Sequence, residues 1–206
     1  MRPIKVQDTP IILASSSEYR KGLLTKLGLS FVCNSPNIDE SPLKNEDIES
    51  LVVRLACQKA DKTATLFNHG IVIASDQAAL VVDGNGNQSL LSKPGNAKNA
   101  EYQLQLCSAQ SVVFKTSLCV LNIQTQQRLT CCENYTVNFR RLSKQQIKQY
   151  IHIEKPFDCA GSFKSEGLGI RLFESLEGRD PNALIGLPLI ALVDFLLEMG
   201  IDPLHN

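Results

Sequence analysis

The stretch PIILASSSEYRKGLLTKLG, residues 10–28, sets the terms for everything that follows it. Ile11 to Ala14 make a short unbroken apolar run, the pattern of a strand covered on both faces, and a serine cap then opens an amphipathic segment that stops at Gly28. Strand, tight turn and helix in that order is the opening unit of an α/β sheet.

The rest of the chain extends the pattern and then changes it. LSFVCNSP reads as a second strand ended by Pro36, and a long helix is expected from Asn45 to about Phe67, where Ile48, Leu51, Val52, Leu55 and Ala56 recur at steps of three and four. Lys59 falls on that apolar stripe, which is unusual for a lysine. The strand IVIAS follows, and AALVVDGNGNQSLL places two apolar runs around an Asp-Gly-Asn-Gly turn, a hairpin signal. A helix is expected in SKPGNAKNAEYQLQLCS with Lys93 just ahead of it. SVVFKTSLCVLNIQ and RLTCCENYTVNFRRL form a second hairpin about a polar TQQ turn. A helix in SKQQIKQYIHIE, a glycine-rich stretch, and a strand and turn leading to a closing helix complete the chain. The expected fold is a mixed α/β sheet flanked by helices, and no repeat or low-complexity linker divides residues 1–206.

Composition bounds the function. Lys+Arg and Asp+Glu both total 21, so no global field draws the chain to nucleic acid or a membrane surface, and any anion site must be local. Seven cysteines are scattered without a CxxC pair, which favours reduced, buried thiols and a cytoplasmic setting. The N-terminus lacks the apolar core of a signal peptide, and the most hydrophobic run, ALIGLPLIALVDFLL, is broken by Pro188 and Asp194. There is no GxxxxGK[ST], GxGxxG, HExxH or GxSxG motif, and His69, His152 and His205 are too scattered for a metal cluster or a histidine-based mechanism.

Four places set charge against this apolar background. In ASSSEYRKGLL, Ser15, Arg20 and a helix start make an anion pocket, or an ordinary serine cap beside a surface arginine. In NIDESP, Asp39 and Glu40 can hold Mg²⁺, although acidic loops are more often simply solvated. Asp76 and Gln77 stand at the expected end of a buried strand, where α/β folds collect ligands; a carboxylate there serves as base or metal ligand, or caps local backbone. Lys59 and Lys93 complete the set: a single lysine of this kind usually snorkels, but two facing one carboxylate suit a polyanionic ligand.

Taken together, ILASSSEYRKGLL, PNIDE, RLACQKA, ASDQ, SKP and CAGSFKSEGLGIRLFESLEGRDPNALIGLPL resemble the Maf family of nucleoside triphosphate pyrophosphatases, in order, from about Ile11 to Gly200. The resemblance implies an α/β fold of the Maf/ITPase-like kind, a single domain of two lobes around a substrate cleft. It also implies metal-dependent hydrolysis of a nucleoside triphosphate to the monophosphate and diphosphate, with Mg²⁺ or Mn²⁺ as cofactor. SDQ and SFKSEGLGI are similar to the branch acting on 7-methyl-GTP, whose activity limits incorporation of modified nucleotides into nucleic acids.

Carried over by position, Asp76 would accept the proton of the attacking water, with Lys59 and Lys93 in the catalytic set. Ser15, Arg20, Lys59 and Lys93 would bind phosphates, and Glu40 with Asp76 would hold the metal. Tyr19, Gln77 and Glu166 match positions that distinguish the branches. A 7-methylguanine ring carries positive charge, so Tyr19 is suited to stack on it and Glu166 to accept its N–H donors. The sequence departs from the family at Glu18, Lys21 and Ser92, where Pro, Arg and Gly are frequent, and at Tyr19, where this branch is expected to have Trp. The expected partner is a small-molecule nucleotide, with no nucleic acid or membrane, and a homodimer is the default assembly. Two alternatives stand beside the leading one: a nucleotide-binding regulator of cell division acting through a protein partner, and a phosphate-ester hydrolase or transferase on a similar α/β frame, to which release of orthophosphate would point. Arg179 is a candidate anion contact without an assigned role.

Overall fold

A computed structural model describes residues 9–82, 86 and 88–204. Its elements in chain order are β1 (Ile11–Leu13), α1 (Glu18–Thr25), β2 (Phe31–Cys33), α2 (Ile48–Ala64), β3 (Ile71–Val82), β4 (Gln88–Leu91), α3 (Ala97–Cys107), β5 (Ser111–Asn122), β6 (Arg128–Phe139), α4 (Lys144–Glu154), β7 (Phe173–Gly178), α5 (Pro181–Ile185) and α6 (Leu189–Glu198). The strands hydrogen-bond in the order β2-β1-β3-β5-β6-β7, with β4 paired to β3. β1 is parallel to both β2 and β3, whereas the β3–β4 and β6–β7 pairs are antiparallel. This is the mixed α/β sheet the sequence predicts.

Two compact units divide the chain: Met1–Gln77 with Thr116–Glu133 and Gly186–Asn206, and Ala78–Lys115 with Asn134–Ile185. In the first, Ile12, Ala14, Val72, Ala74, Cys119 and Leu121 pack with Ala56 and Ala60 of α2. Small residues at these α2 positions let the helix lie close over the strands. α2 starts where Asp47 accepts hydrogen bonds from the backbone of Glu49 and Ser50, both at 3.0 Å.

The second unit has its own core. Phe114, Phe139, Phe163 and Phe173 meet edge to face with ring centroids 4.8–5.5 Å apart, the arrangement that aromatic quadrupoles favour. α3 and α4 supply Leu104, Ile147 and Ile151 to the same cluster. A capping box of Ser143 and Gln146 starts α4.

Two expectations need correction. Asp76 does not end a strand: β3 runs without a break from Ile71 to Val82 and carries Asp76 in its middle. No Gly or Pro interrupts that segment, and the charge that suggested a boundary is met by a cation from α2, so the ladder continues through it. The cysteines are all free, as expected, but only Cys107 and Cys119 are buried, while Cys33 is exposed. Of the expected β3–β4 turn, Asp83 to Asn85 and Asn87 lie outside the described residues. Among those residues no helix is long and apolar enough to cross a membrane.

Candidate active site

Lys59 explains its own odd position. The apolar stripe of α2 carries it to a site where only 8% of its surface is exposed, and its Nζ lies 2.6 Å from Asp76 Oδ1 and 2.7 Å from Glu40 Oε1. A lysine this buried would be costly alone, and two carboxylates offset the cost. The adjacent acids of the NIDESP loop divide their work. Glu40 reaches Lys59, whereas Asp39 accepts the Ser41 amide at 2.9 Å and closes its own loop, and those Ser41 hydrogen bonds hold its carboxyl below the usual range.

Asp76 is fixed from behind by a hydroxyl. Its backbone N–H donates to Ser117 Oγ at 3.1 Å, and that buried hydroxyl donates in turn to the Val52 carbonyl of α2 at 2.7 Å. Ser117 thereby ties β3 and β5 to the helix that bears Lys59. Next to it, Gln77 Nε2 donates to Thr116 Oγ1 at 2.9 Å, which orients the Gln77 amide.

The serine-rich turn after β1 works as a chain of caps. Ser15 Oγ accepts the Ser17 amide at 3.1 Å, and Ser17 Oγ accepts the Arg20 amide at 3.4 Å to start α1. Arg20 Nε donates to the Gly186 carbonyl at 2.8 Å, and the same carbonyl accepts from Ser75 Oγ, also at 2.8 Å. Gly186 sits at φ +121°, a conformation that favours glycine, and an added Cβ there would lie 3.4 Å from Arg20 Nε. Among the described residues the guanidinium makes no other hydrogen bond, which leaves its Nη groups open to an anion. Burial lowers the Arg20 pKa, with Asp76 and Glu40 acting in the opposite direction, so both carboxylates lie within electrostatic reach of it.

The first unit holds Ser15, Arg20, Glu40, Lys59, Asp76 and Gln77; of these, Lys59 joins Asp76 and Glu40, both carboxylates lie within electrostatic reach of Arg20, and the half-buried Tyr19 precedes Arg20 in α1. Lys93 and Glu166 belong to the second unit, where both are exposed. Sequence reasoning missed Thr116, Ser117 and the Gly186 carbonyl. A signal for the hydroxyls existed: Thr116 and Ser117 interrupt an apolar strand, and both are fully buried. The carbonyl of Gly186 left no side-chain signal at all.

Among the described residues no group of three or more His, Cys, Asp and Glu side chains is placed to hold a metal ion. The donor set of Glu40 and Asp76 nevertheless fits a hard divalent cation. Their oxygens converge on one positively charged point, at present the Lys59 ammonium, and Mg²⁺ characteristically takes one or two carboxylates together with substrate oxygens.

Comparison with known proteins gives a consistent picture. The profile of the family described as "Maf-like protein" matches residues 10–199. The chain is 51% identical over 192 residues to a protein of Pseudoalteromonas atlantica named 7-methyl-GTP pyrophosphatase, covering 93% of this chain and 96% of the relative. It is 47% identical to the protein of that name from Vibrio vulnificus, over 97% of this chain and all of the relative. The Pseudomonas aeruginosa protein of that name is 48% identical over 93% of this chain and 97% of its own length.

Proposed function

Because this chain belongs to the Maf-like protein family, we propose that it is a nucleoside triphosphate pyrophosphatase that hydrolyses 7-methyl-GTP to the monophosphate and diphosphate. The observation that carries this reading is the arrangement about Lys59, whose ammonium bridges Asp76 and Glu40 at 2.6 and 2.7 Å with the Arg20 guanidinium close by. Alternating charges held this closely suit a ligand that is itself densely anionic.

Asp76 serves as the base. It accepts a proton from a water that attacks the α-phosphorus; the bond from that phosphorus to the α,β-bridging oxygen breaks, and diphosphate leaves with the electron pair. Lys59 and Arg20 offset charge on the phosphate oxygens. When bound between Glu40 and Asp76, Mg²⁺ or Mn²⁺ would neutralise phosphate charge and lower the barrier to displacement. Lys59 then has a second partner available in the substrate, so the ammonium exchanges carboxylate for phosphate without being left unpaired.

We assign Lys93 to phosphate binding and Tyr19, Gln77 and Glu166 to the base, within a single catalytic domain spanning the chain. Tyr19 offers its ring face to the cationic methylated base and Glu166 a carboxylate to its N–H donors. The names of relatives about half identical over nearly the full length support this choice of substrate.

A panel of normal and methylated nucleoside triphosphates, assayed for diphosphate with each divalent cation, tests the proposal. Diphosphate from 7-methyl-GTP in preference to GTP is expected, and Asp76→Asn should lower kcat by about 10²–10⁴-fold with folding intact. Orthophosphate as product, or tight nucleotide binding without turnover, would overturn the reading.

A further inference from the structure

The second unit holds a turn whose construction is out of proportion to its length. Residues Lys164 to Gly169 close on themselves: the amides of Gly167 and Gly169 both donate to the Lys164 carbonyl, at 3.2 and 3.1 Å. Gly169 is required by space, and a side chain at Gly167 would push aside the Glu154 carboxylate. A Cβ at Gly167 would lie 2.8 and 3.0 Å from the two carboxylate oxygens of Glu154, and one at Gly169 would run into the Lys164 carbonyl.

Helix α4 grips this turn at both ends. Tyr150 and Glu154 are four residues apart and share one face of the helix. Tyr150 Oη accepts the Lys164 amide at 3.0 Å, and Glu154 Oε2 accepts the Leu168 amide at 2.8 Å. Lys164 Nζ adds a hydrogen bond to the Glu154 carbonyl at 3.3 Å and lies 3.9 Å from Oε1 of the same residue. The Glu154 side chain is only 16% exposed, so its charge is committed to these partners and not to water. Between the two anchors, Glu166 is the one exposed residue, and Ser165 Oγ steadies its carboxylate from 3.2 Å.

We infer that Glu154, assisted by Tyr150, is a positioning residue for base selectivity: it fixes the turn that presents Glu166 to the methylated base. This rests on the assignment of Glu166 to the base given above. Glu154 lies outside the SFKSEGLG segment in the chain and acts through a backbone amide, so its contribution would pass unnoticed in a reading of side chains alone. A carboxylate held by a rigid turn discriminates a cationic ring from a neutral one better than a mobile carboxylate, because its donor–acceptor geometry is set before binding.

The experiment compares Glu154→Ala, Glu154→Gln, Tyr150→Phe and Glu166→Gln with the parent enzyme. Two quantities are read: amide hydrogen exchange of the 164–169 segment, and the ratio of kcat/KM for 7-methyl-GTP over GTP. Glu154→Ala should speed exchange at Leu168 and lower the ratio by about tenfold, the size of one hydrogen bond to a charged group, mainly through KM for 7-methyl-GTP. Glu154→Gln keeps an acceptor for the Leu168 amide and should restore most of both. Tyr150→Phe keeps a bulky ring in the core and should loosen only the Lys164 end.

Unchanged exchange in Glu154→Ala would overturn the clamp. Faster exchange with an unchanged ratio, in an enzyme whose ratio falls in Glu166→Gln, would overturn its link to selectivity. A ratio unmoved by Glu166→Gln would instead overturn the base contact and the inference with it, a failure told apart from the others because exchange reports the turn alone.

Discussion

Lys59 donates to Asp76 across 2.6 Å from a position where each side chain is no more than 14% exposed. Such a pair is weak evidence for net stability but a strong constraint on substitution, because removing one member strands the other. Lys59→Met should therefore destabilise the fold by about 3–5 kcal/mol, with Asp76 left facing Glu40 without a cation between them. The double variant Lys59→Met/Asp76→Asn should regain most of that stability and none of the activity. Urea denaturation of the single and double variants, read beside diphosphate release, checks both halves.

The Gly186 carbonyl is held between Arg20 and Ser75, and its residue adopts φ +121°. Gly186→Ala forces an L side chain into that conformation and sets a methyl group against the Arg20 side chain. A loss of about 1–3 kcal/mol is expected from backbone strain alone. Because Arg20 donates to the Gly186 carbonyl, a strained backbone that shifts this carbonyl should also raise KM for the triphosphate through Arg20 while leaving the preference for the methylated base unchanged. A thermal melt and a Michaelis analysis on two nucleotides separate these effects.

Much of this architecture could be read from apolar runs and helical spacing, since each element is decided by residues within a few positions of one another. The stripe Leu51, Val52, Leu55, Ala56 produced α2, and the misfit of Lys59 on it pointed to a carboxylate partner that β3 supplies. The continuous course of β3 was harder to see, because Asp76 looks like a strand end until its compensating cation is known. Ser117 and Gly186 were hidden for a related reason. Their contacts to Val52, Asp76, Ser75 and Arg20 span 41 to 166 residues of sequence, and short-range pattern has no term for them.

Ser117 offers a direct test of that hidden support. It is fully buried, accepts the Asp76 amide and donates to the Val52 carbonyl. Ser117→Ala leaves the Asp76 amide without this acceptor, while the Val52 carbonyl, inside α2, keeps its helical hydrogen bond. The expected cost is about 1–3 kcal/mol. Because Asp76 loses its anchor, kcat should fall by more than the change in KM accounts for, whereas a residue that only filled space would lower stability and leave turnover of the folded fraction intact. Activity normalised to the folded fraction by circular dichroism decides between them.

Cys57, two residues before Lys59 on α2, carries an unusual thiol. A hydrogen bond from the Cys119 thiol lowers its pKa to about 6, burial works against that shift, and Arg128, itself paired with Asp61, adds to it. Cys119, as the donor, is pushed up and stays protonated. The folded Cys57 therefore loses its proton near pH 6, while the unfolded thiol keeps it up to about pH 9. Between those limits the unfolded state binds the extra proton, so this thiol's contribution to stability rises with pH and is lost as pH falls through about 6. Cys57 should accordingly alkylate with iodoacetamide at neutral pH ahead of Cys107, whose thiol burial pushes up to about 12. Cys119→Ala removes the donor and should move the midpoint of Cys57 alkylation upward, towards that of an ordinary thiol. Mass-spectrometric mapping of the alkylated cysteines from pH 5 to pH 9 reads the midpoint directly; a midpoint near about 8.5 in the parent protein would contradict the assignment.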